Sequence, residues 1–120
     1  MANHEVQLPW LQTREPISMT KNQWGPIGWA WLHTQAINYP QNPTKFEQIA
    51  MFTRFWSFIQ TLPCIECRIH ATNYTRIYPP DFSGSIGFQI WAWRFHNMVN
   101  YRLDKPLMSV NEYRRMYMNY

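Results

Sequence analysis

Apolar residues along this chain recur at three- and four-residue intervals, and no segment sustains the two-residue alternation of a half-buried strand. The pattern therefore predicts an all-α fold of four helices and a short fifth. The first starts near Gly25-Pro26, because proline suits a first turn, runs to about Tyr39 and stops at Pro40. Thr44 reads as an N-cap, with Glu47 three residues on to complete a capping box for the second helix. Along that helix Phe46, Ile49, Ala50, Phe52, Trp56 and Ile59 form a wide apolar stripe ahead of Pro63. The third helix opens around Cys64 and ends before Pro79-Pro80. Turn formers from Asp81 to Ser85 lead into the fourth, about Ile86 to Leu103, which Pro106 closes off. Ser109 and Glu112 cap the fifth. Residues 1–21 carry Pro9 and Pro16 without periodicity and read as an extended arm, tacked down by Trp10 and Leu11; residues 22–120 read as one domain.

Composition adds an aromatic load to this picture. Seven Trp, seven Tyr and seven Phe can fill a core, and they can also wall a site for a planar ligand. Charged residues make up only 15% against 46% hydrophobic, which excludes a disordered chain. The formal charge of +4 would attract phosphate. Its basic residues are scattered, and no basic run marks a nucleic-acid tail. No stretch reaches the length of a membrane span, and the first residues lack the basic start and apolar block of a signal peptide. The expectation is a soluble, cytoplasmic protein with neither nucleic acid nor membrane as partner.

The two cysteines, Cys64 and Cys67, sit at the predicted head of the third helix, just after Pro63. There the unpaired N–H groups and the helix dipole favour a thiolate, and one helical turn brings both sulfurs within bonding reach. That is the geometry of a reversible disulfide. Two blander readings compete: half of a zinc site completed by two of His33, His70 and His96, or a pair of small buried apolar residues. Structural zinc usually draws on more than two cysteines, which favours redox use.

Two other faces carry polar groups among aromatics. Gly25, Trp29 and His33 recur every four residues along the first helix, a spacing that also fits an ordinary core stripe with one satisfied histidine. On the fourth helix Phe88, Trp91, Phe95 and Met98 cluster as core, whereas His96, Asn97 and Asn100, joined by Trp93, fall on the far side. A solvent face would carry Lys and Glu; histidine and asparagine offer fixed donors and acceptors to a ligand, with Lys105 placed to meet a phosphate.

Three blocks in order, W-G-P-x-x-W-x-x-L-H at 24–33, C-x-x-C at 64–67 and H-N-x-V-N-x-x-L-x-K at 96–105, resemble the Erv/ALR flavin-linked sulfhydryl oxidases. The segments 61–64 and 67–71 look closest to the short versions encoded by large cytoplasmic DNA viruses. The resemblance implies a four-helix bundle with a short fifth helix that holds FAD noncovalently, as a homodimer, in a host cytoplasm and virion if viral. It implies cofactor contacts from Gly25, Trp29, His33, His96, Asn97, Val99, Asn100, Leu103 and Lys105, with Tyr113 closing the pocket. Cys67 would be the flavin-proximal sulfur and Cys64 the one that meets substrate. The implied reaction oxidises a dithiol and passes electrons by way of flavin to molecular oxygen, giving hydrogen peroxide. Many relatives carry a shuttle pair and a stapling pair of cysteines; this chain has neither. Electrons must then reach Cys64 directly from a dithiol carrier or substrate protein, of thioredoxin-like type in viral relatives.

Overall fold

The computed structural model describes residues 19–118. Five helices follow one another: α1 (Lys21–Asn38), α2 (Lys45–Gln60), α3 (Ile65–Ile77), α4 (Ser85–Arg102) and α5 (Val110–Tyr117), and there is no strand among the described residues. The arm assigned to residues 1–21, with Trp10 and Leu11, lies outside the described residues except at its end. There the structure corrects the sequence reading: Thr20 is the N-cap of α1, and its N–H donates to Gln23 Oε1 at 2.9 Å. A T-x-x-Q box therefore starts the helix four residues ahead of Gly25, and Pro26 lies inside it. A proline there removes one intrahelical donor, so the Asn22 carbonyl loses its usual partner.

The remaining boundaries follow the local chemistry that the sequence announces. Thr44 Oγ1 accepts from the Glu47 N–H while Glu47 Oε1 accepts from the Thr44 N–H, at 3.1 and 2.9 Å. Ser109 caps α5 with its side chain, Oγ accepting from the Glu112 N–H at 3.1 Å. At the far end of α4 the chain turns sharply. Asp104 adopts φ 60°, Lys105 N–H donates to the Asn100 carbonyl at 2.8 Å, and Asp104 N–H donates to that of Tyr101 at 3.2 Å. This is a Schellman turn built on a non-glycine residue. It sends residues 105–108 back along α4.

α1 packs on α4, α2 on α3, and α5 on α1. The core joins Leu32 and Ala36 of α1, Met51, Phe55 and Ile59 of α2, Ala71 of α3, and Phe88, Trp91, Ala92 and Phe95 of α4. Its rings meet edge to face: Phe55 with Trp91 at 5.2 Å and 82°, Phe88 with Phe82 at 4.9 Å and 90°. Burying each such phenylalanine contributes roughly 1.5–3 kcal/mol. Polar groups at the edge of this core find partners. Trp91 Nε1–H donates to the Tyr78 carbonyl at 2.8 Å, and Ser85 Oγ–H donates to that of Ala36 at 2.8 Å.

Two core assignments are corrected. On α2, Phe46, Ile49, Phe52 and Trp56 are exposed, and the buried face is the one bearing Met51, Phe55 and Ile59. Of the expected stripe only Ile59 is fully buried and Ala50 half-buried. On α4, Met98 is 46% exposed, while His96 and Asn100, read as the far side, are buried. The reason is the return of the chain after Asp104, which covers the polar side of α4. No helix among the described residues is long and apolar enough to cross a membrane.

Candidate active site

Pro63 ends the loop after α2, and Cys64 is the N-cap of α3. The Cys64 Sγ accepts from the Cys67 N–H at 3.3 Å, so the sulfur does the work a serine hydroxyl does elsewhere. Both cysteines are free thiols and half-buried. Their acidities diverge. Burial pushes the Cys64 thiol up, but hydrogen bonds from the Cys67 side chain and backbone, with Lys21 nearby, outweigh it and bring Cys64 below its ordinary value. Burial and then the neighbouring Cys64 raise Cys67, against the smaller opposing pull of Lys21 and Arg102. In the reduced pair Cys64 is thus the first to ionise.

A cavity of about 390 Å³ opens beside Cys67, between α1, α3 and α4. Trp24, Gly25, Gly28 and Trp29 line it from α1, and Met98, Val99 and Arg102 from α4, with Leu103 and Lys105 beyond. Phe58 and Leu62 add to the lining from the end of α2 and the loop after it. A Cβ built on Gly25 would have no atom within 4 Å, so the space over this residue is free. The long wall is α3 itself. Cys67, His70, Ala71, Tyr74, Ile77 and Tyr78 line it at intervals of three and four residues, the spacing of one helical face. Apart from Cys67 and His70, sequence reasoning passed over this wall, although its periodicity starting from Cys67 was there to be read.

The ten residues assigned to a cofactor thus fall into two groups. Gly25, Trp29, Val99, Leu103 and Lys105 line the cavity with Cys67. His33, His96, Asn97, Asn100 and Tyr113 form a polar clasp in and beside the core. His33 Nε2 lies 2.9 Å from His96 Nδ1, and the Trp29 ring stacks on His96 at 3.8 Å and 9°. Burial holds both histidines neutral: His33 falls to about 3, with His96 as the second cause, and His96 to about 4, with Lys105 as the second. His33 Nδ1 is buried with no hydrogen-bond partner. Asn97 grips the returning backbone, donating to the Met108 carbonyl at 2.9 Å and accepting from the Met108 N–H at 2.7 Å. Asn100 Nδ2 donates to Asn97 Oδ1 at 3.3 Å, and Trp93 Nε1–H also donates to the Met108 carbonyl, at 3.0 Å. Tyr113 of α5 donates to Gln89 Oε1 at 2.7 Å and sets its ring edge-on to His33 at 5.3 Å.

Among the described residues no group of three or more His, Cys, Asp or Glu side chains converges as a metal would require. The zinc reading has no ligand set there. What the fold does define is a helical bundle with a dithiol at a helix start, set in the wall of an aromatic cavity. Residues 27–118 match the family model described as the Erv1 / Alr family, and the chain belongs to that family. It is 39% identical over 94 residues to the FAD-linked sulfhydryl oxidase of African swine fever virus (isolate Tick/Malawi/Lil 20-1/1983), covering 78% of this chain and 79% of the relative. It is 34% identical over 97 residues to a probable FAD-linked sulfhydryl oxidase of Acanthamoeba polyphaga mimivirus, covering 78% and 68%. Among solved structures, the yeast Erv1 core superposes with a TM-score of 0.79 at 25% identity, covering 98% of this chain and 99% of that one. The FAD-binding domain of Erv1 from Saccharomyces cerevisiae gives 0.78 at 28%, covering 84% and 96%.

Proposed function

We propose that this protein is an FAD-linked sulfhydryl oxidase that forms disulfide bonds in a dithiol partner through Cys64 and Cys67. The observation that carries this reading is the position of Cys67 in the wall of the cavity between α1, α3 and α4. The lining fits a flavin by its chemistry: aromatic and apolar walls, cations at Lys21, Arg102 and Lys105 for phosphate, and open space over Gly25. Gly25, Trp29, Val99, Leu103 and Lys105 would hold the cofactor directly, and the orphaned Nδ1 of buried His33 leaves one further polar atom for it. His96, Asn97, Asn100 and Tyr113 would fix the shape of that end of the site.

Bound flavin supplies a two-electron acceptor that molecular oxygen can regenerate, with hydrogen peroxide as product. The chain's own residues carry the thiol chemistry. A substrate thiolate attacks Cys64 Sγ; the Cys64–Cys67 bond breaks, a substrate–Cys64 disulfide forms, and the electron pair leaves on Cys67 Sγ. A second substrate thiolate then attacks the substrate sulfur of that mixed disulfide and releases Cys64 as thiolate. The Cys67 N–H that caps onto Cys64 Sγ at 3.3 Å stabilises this departing charge. The chain has two cysteines, both in the pair, so substrate electrons enter at Cys64 with no shuttle cysteine in the sequence. The donor is a dithiol carrier or substrate protein.

The protein acts as a homodimer held by packing, since an interchain disulfide would consume an active cysteine. Phe46, Ile49, Phe52 and Trp56 on α2 and Ile27 on α1 are exposed apolar residues suited to that contact. Purified protein is expected to be yellow and to consume oxygen with dithiothreitol. A colourless preparation that also fails to bind added FAD would overturn the reading.

A further inference from the structure

Resting on the oxidase reading, the cations around the dithiol point to one more residue of the reaction. Opening the disulfide at Cys64 leaves an electron pair, and so a negative charge, on Cys67 Sγ. Cys67 is half-buried in a cavity wall where apolar side chains dominate, and a charge left there without a partner is costly. Three cations line the same cavity from outside α3, Lys21 from the first turn of α1, Arg102 from the last turn of α4 and Lys105 just beyond it, and His70 joins them from α3 itself. On α3, Glu66 is exposed in the first turn, and Arg68 Nε donates to the Leu62 carbonyl at 2.5 Å. The α2 side contributes the uncharged Phe58.

We propose that Lys21 is a positioning residue of the thiol chemistry, its ammonium neutralising the thiolate that the dithiol carries after each disulfide opening. Lys21 lines the cavity together with Cys67, and its charge favours ionisation of both sulfurs. The same cation thereby serves both ends of the exchange, the leaving sulfur on attack and Cys64 on release of product. Its place follows from the corrected start of α1: the Thr20 cap brings residue 21 into the helix, in the lining of the cavity.

The test is the pH dependence of iodoacetamide alkylation in the reduced protein, with the modified cysteine assigned by mass spectrometry. Lys21→Met should raise the alkylation midpoint by about half a pH unit, equivalent to about threefold slower labelling below the midpoint. Lys21→Arg should keep the wild-type midpoint, and 0.5 M salt should shrink the gap between wild type and Lys21→Met. A Lys21→Met midpoint equal to wild type, or a gap that salt leaves untouched, overturns the assignment. The oxidase reading is tested separately by the spectrum and oxygen consumption of the unsubstituted protein.

Discussion

The two ends of the site handle polarity in opposite ways. Around Cys67 the wall is mostly apolar and aromatic, the space is open, and Lys21, Arg102 and Lys105 add charge to the lining. Around His33 and His96 the polar groups are buried and mostly spoken for, with Asn97 satisfied by the Met108 backbone and Tyr113 by Gln89. The difference teaches how motif residues divide their labour. A histidine or asparagine that looks like a ligand donor in sequence can serve the site by locking the chain that shapes it.

The largest expected effect lies at the open end. Cys67→Ser should lower dithiol oxidation by at least about 10³-fold while leaving the bundle folded, measured as oxygen consumption alongside circular dichroism. Residual turnover near the wild-type rate would mean that the cavity-facing sulfur is idle. The clasp should instead reveal itself through acid. Above about pH 6.5 the histidines are neutral in both states and contribute no pH dependence. As the pH falls below that, the unfolded chain takes up protons that the folded one refuses until about 4 at His96 and about 3 at His33. Stability should therefore fall by about 1.4 kcal/mol per pH unit for each histidine in that window. Urea midpoints that stay constant from pH 7 to 5 would contradict it.

Smaller effects separate bracing from binding. Asn97→Ala strands the Met108 N–H, while Trp93 Nε1–H still serves the carbonyl, and should cost about 1–3 kcal/mol in urea denaturation. Gly25→Ala acts at the open end, where the new Cβ meets nothing beyond its own helix: FAD retention should weaken, while the flavin-free protein changes in stability by less than about 1 kcal/mol, since alanine's helix gain is offset by crowding against Pro26. Unchanged FAD content after Gly25→Ala would show that the free space there is not cofactor space.

Much of the fold was legible because its signals are local. The box at Thr44 and the caps at Ser109 and Cys64 each rest on residues three apart, and the stop before Pro79 rests on the prolines themselves. The start of α1 was missed because Gly25-Pro26 imitates a first turn, whereas Thr20-x-x-Gln23 carries the actual cap. The buried face of α2 was misjudged for another reason. That helix is apolar nearly all round, so periodicity alone could not choose between Phe46, Ile49, Phe52 and Trp56 and the true core of Met51, Phe55 and Ile59. The side of α4 bearing His96 and Asn100 looked open because only the fold brings Met108 over it. The rest of the α3 wall, Ala71, Tyr74, Ile77 and Tyr78, was passed over because Cys64, Cys67 and His70 carry the reactive and ligand-type groups of that helix.

One consequence follows from the sulfur at the head of α3. Oxygen is the better acceptor for an amide N–H, so serine at position 64 should cap that helix at least as firmly as the native residue. The scaffold does not require a thiol there. On the proposed function, electron exchange is what sulfur adds at this position, with a weaker lock on the first turn as its cost.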